Sequence, residues 1–369
     1  MQPTTGPADI VIERVTIESA TRDGLEPLGL PAGVVGQWAR FAAPLVRHVF
    51  LARDGDGIAG AAITAGRPLS AYLKIAGIWT ADRVGGGARP ALRRALAEAA
   101  EQYAWESGFA VVKRESAAAG EDEDAALFAA AGYETVPAPQ IGAPIPDPGP
   151  AVPAVQVKWR SRAGRTTVPY MRQTTDYTCG PAALSMLLAH YGILERVSRA
   201  AELDLWRQAT TMIGCDPYGL ALAADGQGAT PRIVISSEGT LFLSEVKTEQ
   251  ERELRRFIQD GFRDRAGQAG IETELRTFDI GELAAVIKAG GAAIVLVDEI
   301  LVHGDVCGHW ILVHAMDGDD VFLAHDPWTE VSQGESWADG YDVPYPAGGL
   351  DRIAWTDTPP ARAMLTFTR

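Results

Sequence analysis

Seven prolines stand between positions 137 and 153: Pro137, Pro139, Pro144, Pro146, Pro148, Pro150 and Pro153. Each fixes φ and removes a backbone donor, so no helix interior or central strand can run through this stretch. It reads as an extended, semi-rigid connector. The chain of 369 residues therefore divides into a first domain, 1–136, a linker, 137–156, and a second domain, 157–369. Each domain is long enough to bury a core of its own.

Ahead of the linker, strand and helix patterns alternate. Ile10–Ile17 has the two-residue period of a strand. His48–Arg53 and Ile58–Thr64 flank an Asp-Gly-Asp-Gly turn and read as a hairpin. Ala71–Thr80 suits a third strand. A helix from about Pro90 to Trp105 places Leu92, Leu96, Ala99, Ala100 and Tyr103 on one face. Phe109–Lys113 is a further strand, and Ala125–Ala131 a helix closed by Gly132. The fold class is α/β and α+β in two domains, the first a mixed sheet with flanking helices and the second a helix plus an antiparallel sheet.

Between the third strand and the long helix lies Arg83-Val84-Gly85-Gly86-Gly87-Ala88. Glycines at a helix N-terminus leave backbone N–H groups free for a pyrophosphate. These residues fit the R/Q-x-x-G-x-G/A acyl-CoA loop, and the segment ALFAAAGYE fits a closing helix, so the domain resembles the GNAT acetyltransferases. The resemblance implies that fold and acetyl-CoA or CoA held by Arg83, Gly85, Gly86, Gly87 and Ala88. Phe128 stands where that family often has a tyrosine general acid, and Glu121 where asparagine is common. Without the phenol there is no proton donor for a departing thiolate.

In the second domain the stretch Gln173–Gly192, QTTDYTCGPAALSMLLAHYG, sets Cys179 just before a helix. Pro181 suits a first turn, Ala182, Ala183, Met186, Leu187 and His190 recur at helical spacing, and Gly192 is a stop. A cysteine at a helix N-terminus is favoured as thiolate. Gln173 can aim an amide N–H at the same locus, which makes the front half of an acyl-transfer site.

Gly308–Trp328 reads as two strands around Asp317-Gly318. If those two residues form the turn, His309 faces Asp326 across the ladder, an imidazole beside a carboxylate. Such a pair is the base half of a nucleophilic site. His303, His314 and His325 are rivals for the base. Farther along the chain, helices are expected at Tyr218–Asp225, Lys247–Gln259 and Ile280–Ala289, with strands at Arg232–Ser236 and Ala292–Val297.

The formal net charge of −15 argues against nucleic-acid partners. Three cysteines without a CxxC suggest neither a disulfide framework nor a zinc knuckle, and no metal site is expected. No signal peptide or span of membrane length is read, so the expectation is a cytoplasmic chain without a membrane partner.

The order Gln–Cys–His–Asp, with QTTDYTCGP, ELDLWRQATT, GCDPYGLALAA and HGDVCGHWILVHAMDGDDVFLAHDP, resembles the papain-like cysteine peptidases of C39 type. The resemblance implies Cys179 as nucleophile, His309 as base, Asp326 as its orienting partner and Gln173 as oxyanion donor. The substrate implied is a peptide or protein, and no cofactor is required. A transpeptidase or acyltransferase using the same thiol, and a non-catalytic peptide-binding module, are the alternatives.

Overall fold

The computed structural model describes residues 4–5, 10–17, 22–39, 45–118, 124–139, 153–161, 167–305, 307–356 and 359–368. Two compact units form. The first comprises Met1–Ala138, Gly149–Arg162 and Glu330–Asp339; the second comprises the remainder. The proline-rich run at 140–152 and Glu121 lie outside the described residues.

The first unit is built on an eight-stranded sheet. Its strands are β1 (Thr4–Thr5), β2 (Val11–Ile17), β3 (Val46–Asp54), β4 (Gly57–Gly66), β5 (Tyr72–Thr80), β6 (Val111–Ala118), β7 (Glu134–Val136) and β8 (Pro153–Trp159). They lie in the order β1-β2-β3-β4-β5-β6-β8-β7, antiparallel except for β5 with β6. Helices α1 (Arg22–Leu25), α2 (Ala32–Trp38), α3 (Ala88–Glu106) and α4 (Ala125–Ala130) complete it. Leu92, Leu96 and Ala100 of α3 pack on Phe50, Leu73, Ile75 and Phe128.

The linker and second-domain boundary expected at 156/157 need correction. Pro153–Trp159 pairs with both β6 and β7, so these residues complete the first sheet. Proline is tolerated as the first residue of a strand, and Pro153 occupies that place.

A late stretch also belongs to this unit. Glu335 receives both arms of Arg67, at 2.8 Å each, and Asp339 accepts from the Tyr72 hydroxyl at 2.8 Å and from the Lys74 ammonium. Lys113 Nζ donates to the Ala338 carbonyl at 2.7 Å. Four charged side chains are thus paired in the interior, as burial requires.

The second unit is a seven-stranded sheet in the order β10-β9-β15-β11-β12-β13-β14; the expected antiparallel sheet needs correction at its edge, where β9 and β10 run parallel. Its strands are β9 (Pro231–Ile235), β10 (Glu272–Leu275), β11 (Ala292–Asp298), β12 (Gly308–Asp317), β13 (Val321–His325), β14 (Val343–Pro346) and β15 (Ala363–Phe367). The helices along this part of the chain are α5 (Cys179–His190), α6 (Arg199–Ala209), α7 (Pro217–Gly226), α8 (Glu249–Gln268), α9 (Ile280–Lys288), α10 (Trp337–Gly340) and α11 (Ala347–Ile353). Every residue of α5 from Cys179 to Leu188 is buried. The expected one-sided face is therefore replaced by burial on every side, with Ser185 the one polar side chain in that run, as befits a central helix. α5 packs on β12 and is flanked by α6 and α7. A Cβ at Gly180 would meet Leu220 of α7 at 2.8 Å and the Trp310 ring of β12 at 3.2 Å.

The expected two-residue turn at Asp317-Gly318 is overturned. Asp317 pairs with Val321, so the loop is Gly318-Asp319-Asp320, and a bulge follows between Val313 and Ala315. Gly318 takes φ +66, a left-handed conformation that glycine adopts without steric cost. Leu312 then faces His325 and Val313 faces Ala324. β13 ends at His325, so His309 and Asp326 are not a facing pair on the ladder.

Candidate functional site

Cys179 is the first residue of α5. Its N-cap, Thr178, makes no side-chain cap bond, so the first-turn N–H groups are not consumed by a cap. They can serve a thiolate or an oxyanion. Thr178 is instead held by Glu202 of α6. That buried carboxylate accepts from the Thr178 hydroxyl, from the Thr174 hydroxyl at 2.7 Å and from the Thr174 N–H at 2.8 Å. Burial raises the Glu202 pKa, against the pull of those donors. Glu202 thereby fixes the loop that delivers Cys179. It lies in the quoted ELDLWRQATT motif, but nothing in the sequence pattern marks it as the anchor.

His309 pairs with Val297 across β11–β12. Its Nε2 is 2.7 Å from Asp326 Oδ1. The contact survives the altered register because the chain turns after β13: the Asp326 N–H donates to the Gly340 carbonyl at 2.8 Å, and its Oδ1 also accepts from the Trp328 N–H at 2.8 Å. The Tyr170 hydroxyl donates to the Asp326 carbonyl at 2.9 Å. A Cβ on Gly340 would collide with that hydroxyl and that carbonyl.

The other imidazole nitrogen meets a group that sequence reading missed. Glu299 opens a single 3₁₀ turn, Glu299–Leu301, and its Oε1 is 3.3 Å from His309 Nδ1. His303 approaches the same oxygen at 3.5 Å. Burial by itself would lower the His309 pKa. The charges of Glu299, then Asp326 and Cys179, together with the Asp326 hydrogen bond, outweigh it and hold the pKa well above 6.5. Cys179 is thus within electrostatic reach of the imidazole. Its influence extends to the buried Cys215, whose thiol is pushed up first by burial and then by neighbouring negative charge. Trp310 Nε1 donates to the Cys215 carbonyl at 3.0 Å.

Gln173 is buried. Its N–H donates to the Pro327 carbonyl at 2.8 Å, which seats it beside the Asp326 turn. Its amide donates to the Thr175 carbonyl at 2.8 Å, so one of its two N–H bonds is already engaged. Of the rival histidines, His314 and His325 gather around Asp342 instead.

In the first unit, Gly87 caps α3 without a side-chain bond, and Gly86 takes φ +31. A Cβ at Gly85, Gly86 or Gly87 would meet nothing within 4 Å. The Ala88 N–H donates back to the Gly85 carbonyl at 3.1 Å, closing a turn at the start of α3. Arg83 is not free to join it: its guanidinium makes a bidentate bond to Asp54 at 2.6 and 2.8 Å. Phe128 is fully buried against Tyr133, a core residue.

The second unit is therefore a mixed α/β body with a thiol at the head of α5 and an imidazole bonded to a carboxylate. A family model described as "Peptidase_C39 like family" matches residues 168–368, and the chain belongs to that family. No curated protein matches it. The N-terminal part is similar to solved acetyltransferases. A Desulfovibrio desulfuricans structure described as of the GNAT family is 17% identical, covering 41% of this chain and 98% of its own, with a TM-score of 0.30. An acetyltransferase from Streptococcus agalactiae is 13% identical, covering 40% and 98%, with a TM-score of 0.29. The IAA acetyltransferase from Bacillus cereus is 18% identical, covering 35% and 79%, with a TM-score of 0.27. Among the described residues no helix is long and apolar enough to cross a membrane.

Proposed function

We propose that the second unit hydrolyses a peptide or amide bond through a thiol acyl-enzyme. One observation carries the reading: the imidazole of His309 is bonded to Asp326 through Nε2, and the charges of Glu299, Asp326 and Cys179 raise its pKa. Because Nε2 is committed to Asp326, Nδ1, which Glu299 Oε1 approaches at 3.3 Å, is the nitrogen assigned the thiol proton. Two carboxylates around the ring favour the imidazolium, so His309 is suited to take the proton that Cys179 gives up as it attacks. The Cys179 thiolate attacks the carbonyl carbon, and the oxyanion rests on the Cys179 N–H and the remaining Gln173 amide N–H. The C–N bond breaks as His309 protonates the leaving amine. Water then attacks the thioester, gives its proton to His309 and releases the acid. Asp326 holds the tautomer throughout.

The first unit would contribute a CoA-type ligand at Gly85–Ala88, with the phosphates near the N-terminus of α3, where the Ala88 N–H now donates to the Gly85 carbonyl at 3.1 Å. That ligand supplies an activated acyl group when bound. Saturable binding of CoA in calorimetry supports this part, and absence of any heat removes it.

Intact-mass labelling with iodoacetamide near neutral pH tests the thiol. Cys179 is expected to react faster than Cys307, although Cys307 is exposed and Cys179 is buried. A Cys179→Ala chain should retain its circular dichroism and form no acyl adduct with peptide substrates. Asp326→Asn should be slower than the unmodified chain yet faster than His309→Ala. Labelling at Cys179 no faster than at Cys307 would overturn the assignment.

A further inference from the structure

One buried cluster in the second unit takes no part in the chemistry above. His314 lies on β12, His325 ends β13 and Asp342 immediately precedes β14. His314 Nε2 is 3.1 Å from Asp342 Oδ1, and His325 Nδ1 is 3.4 Å from the same oxygen. All three residues are buried, and their donor atoms lie within 4.8 Å of one another. Two backbone irregularities assemble them. His314 is the extra residue of the β12 bulge, which takes its side chain out of the strand's alternation. Asp342 takes φ +39, the left-handed region that aspartate and asparagine tolerate better than most residues.

Neither ring nitrogen of His314 has a hydrogen-bond partner, a costly state for a buried polar ring. His325 Nε2–H donates to the Val168 carbonyl at 3.0 Å. Its Nδ1 lone pair is therefore turned towards Asp342, where it accepts a long bond from the backbone N–H at 3.2 Å. An imidazole anchored by a carbonyl through one nitrogen, with the other presented inward, is the state a metal ligand adopts. Donors about 2.0–2.1 Å from a tetrahedral zinc stand about 3.3 Å apart. The observed spacings of 3.1 and 3.4 Å bracket that separation.

We propose that His314 Nε2, His325 Nδ1 and Asp342 Oδ1 bind a divalent transition-metal cation of the Zn²⁺ type. Binding displaces the Asp342 N–H from His325 Nδ1 and satisfies the idle nitrogen of His314. Two imidazoles and one carboxylate suit a borderline first-row cation rather than Ca²⁺ or Mg²⁺. His314 also contributes to the lining of a surface cleft of about 420 Å³ with His190, Tyr191 and Lys288. His325 adjoins Asp326, so the cation pins the strand end from which the candidate catalytic carboxylate departs. The site stands whether or not Cys179 is a nucleophile.

The test uses the full chain, stripped with a chelator and titrated with Co²⁺ and with Zn²⁺ alone. The expected result is one equivalent of each, with the visible bands of low-coordinate Co²⁺ and a raised melting temperature. Asp342→Asn, which keeps the left-handed backbone, should weaken binding at least about tenfold. His314→Gln should abolish it, and Cys179→Ser should retain one equivalent. No cobalt spectrum in the unmodified chain overturns the proposal. So does unchanged affinity in a folded Asp342→Asn chain, or loss of the metal in Cys179→Ser alone.

Discussion

Replacing Glu299 with glutamine removes one of the two carboxylates that hold a proton on His309. At 3.3 Å, opposite unit charges attract by about 5 kcal/mol at an effective dielectric of about 20. Taking both groups out of water offsets much of this. Breaking a sole buried partner costs about 3–5 kcal/mol, but here Asp326 remains at 2.7 Å. The net loss in Glu299→Gln should be smaller, about 2 kcal/mol at pH 6. Its sign with pH follows from the raised pKa of His309. The folded state binds this proton more tightly than the unfolded chain. The stabilisation is therefore full below about pH 6.5, the unfolded imidazole value, and is lost as pH rises through the folded value. Urea unfolding at pH 6 and again in the alkaline range should show the difference between the two chains shrinking as pH rises. Ring resonances offer a direct readout, since the chain has 6 histidines and His309→Gln assigns the one of interest. His309 should titrate at lower pH in the Glu299→Gln chain. An unchanged His309 titration in a folded Glu299→Gln chain would refute the argument that Glu299 helps to set the charge of the ring.

Two further substitutions probe the supports. Gly340→Ala should force the Asp326 turn away from Tyr170, costing about 1–3 kcal/mol as overpacking does and slowing Cys179 alkylation; full stability with unchanged alkylation would show the turn to be pliable. In the first unit, Arg67→Ala leaves Glu335 buried without its bidentate partner, both side chains being fully buried. A loss of about 3–5 kcal/mol in chemical denaturation is expected, and a loss below about 1 kcal/mol would mean that water reaches the carboxylate.

The local elements were legible because their causes are local. Apolar spacing marks α3, α7 and α9, and the Asp-Gly-Asp-Gly turn marks the β3–β4 hairpin. What the sequence hides is pairing at a distance. β8 follows the proline run, yet it inserts between β6 and β7, and no periodicity announces which sheet a strand will join. Residues 330–339 likewise show no strong pattern, because their place is fixed by Arg67, Lys74 and Lys113, more than 200 positions earlier.

The site divides along the same line. Cys179 at the head of a helix and an imidazole with a carboxylate downstream are visible as residue types in order. The expected ladder register was wrong, yet His309 and Asp326 still meet, and the reason lies in the turn rather than the strand. Asp326 is held by its own N–H to Gly340, by Tyr170 on its carbonyl and by the Trp328 N–H on its side chain. A facing pair on a regular ladder would move with any slip of the hairpin. A carboxylate anchored from outside the hairpin does not depend on how many residues the loop contains. The bulge at His314 and the three-residue loop can therefore vary the geometry of β12 and β13 while the His309–Asp326 bond stays fixed by residues 170, 328 and 340.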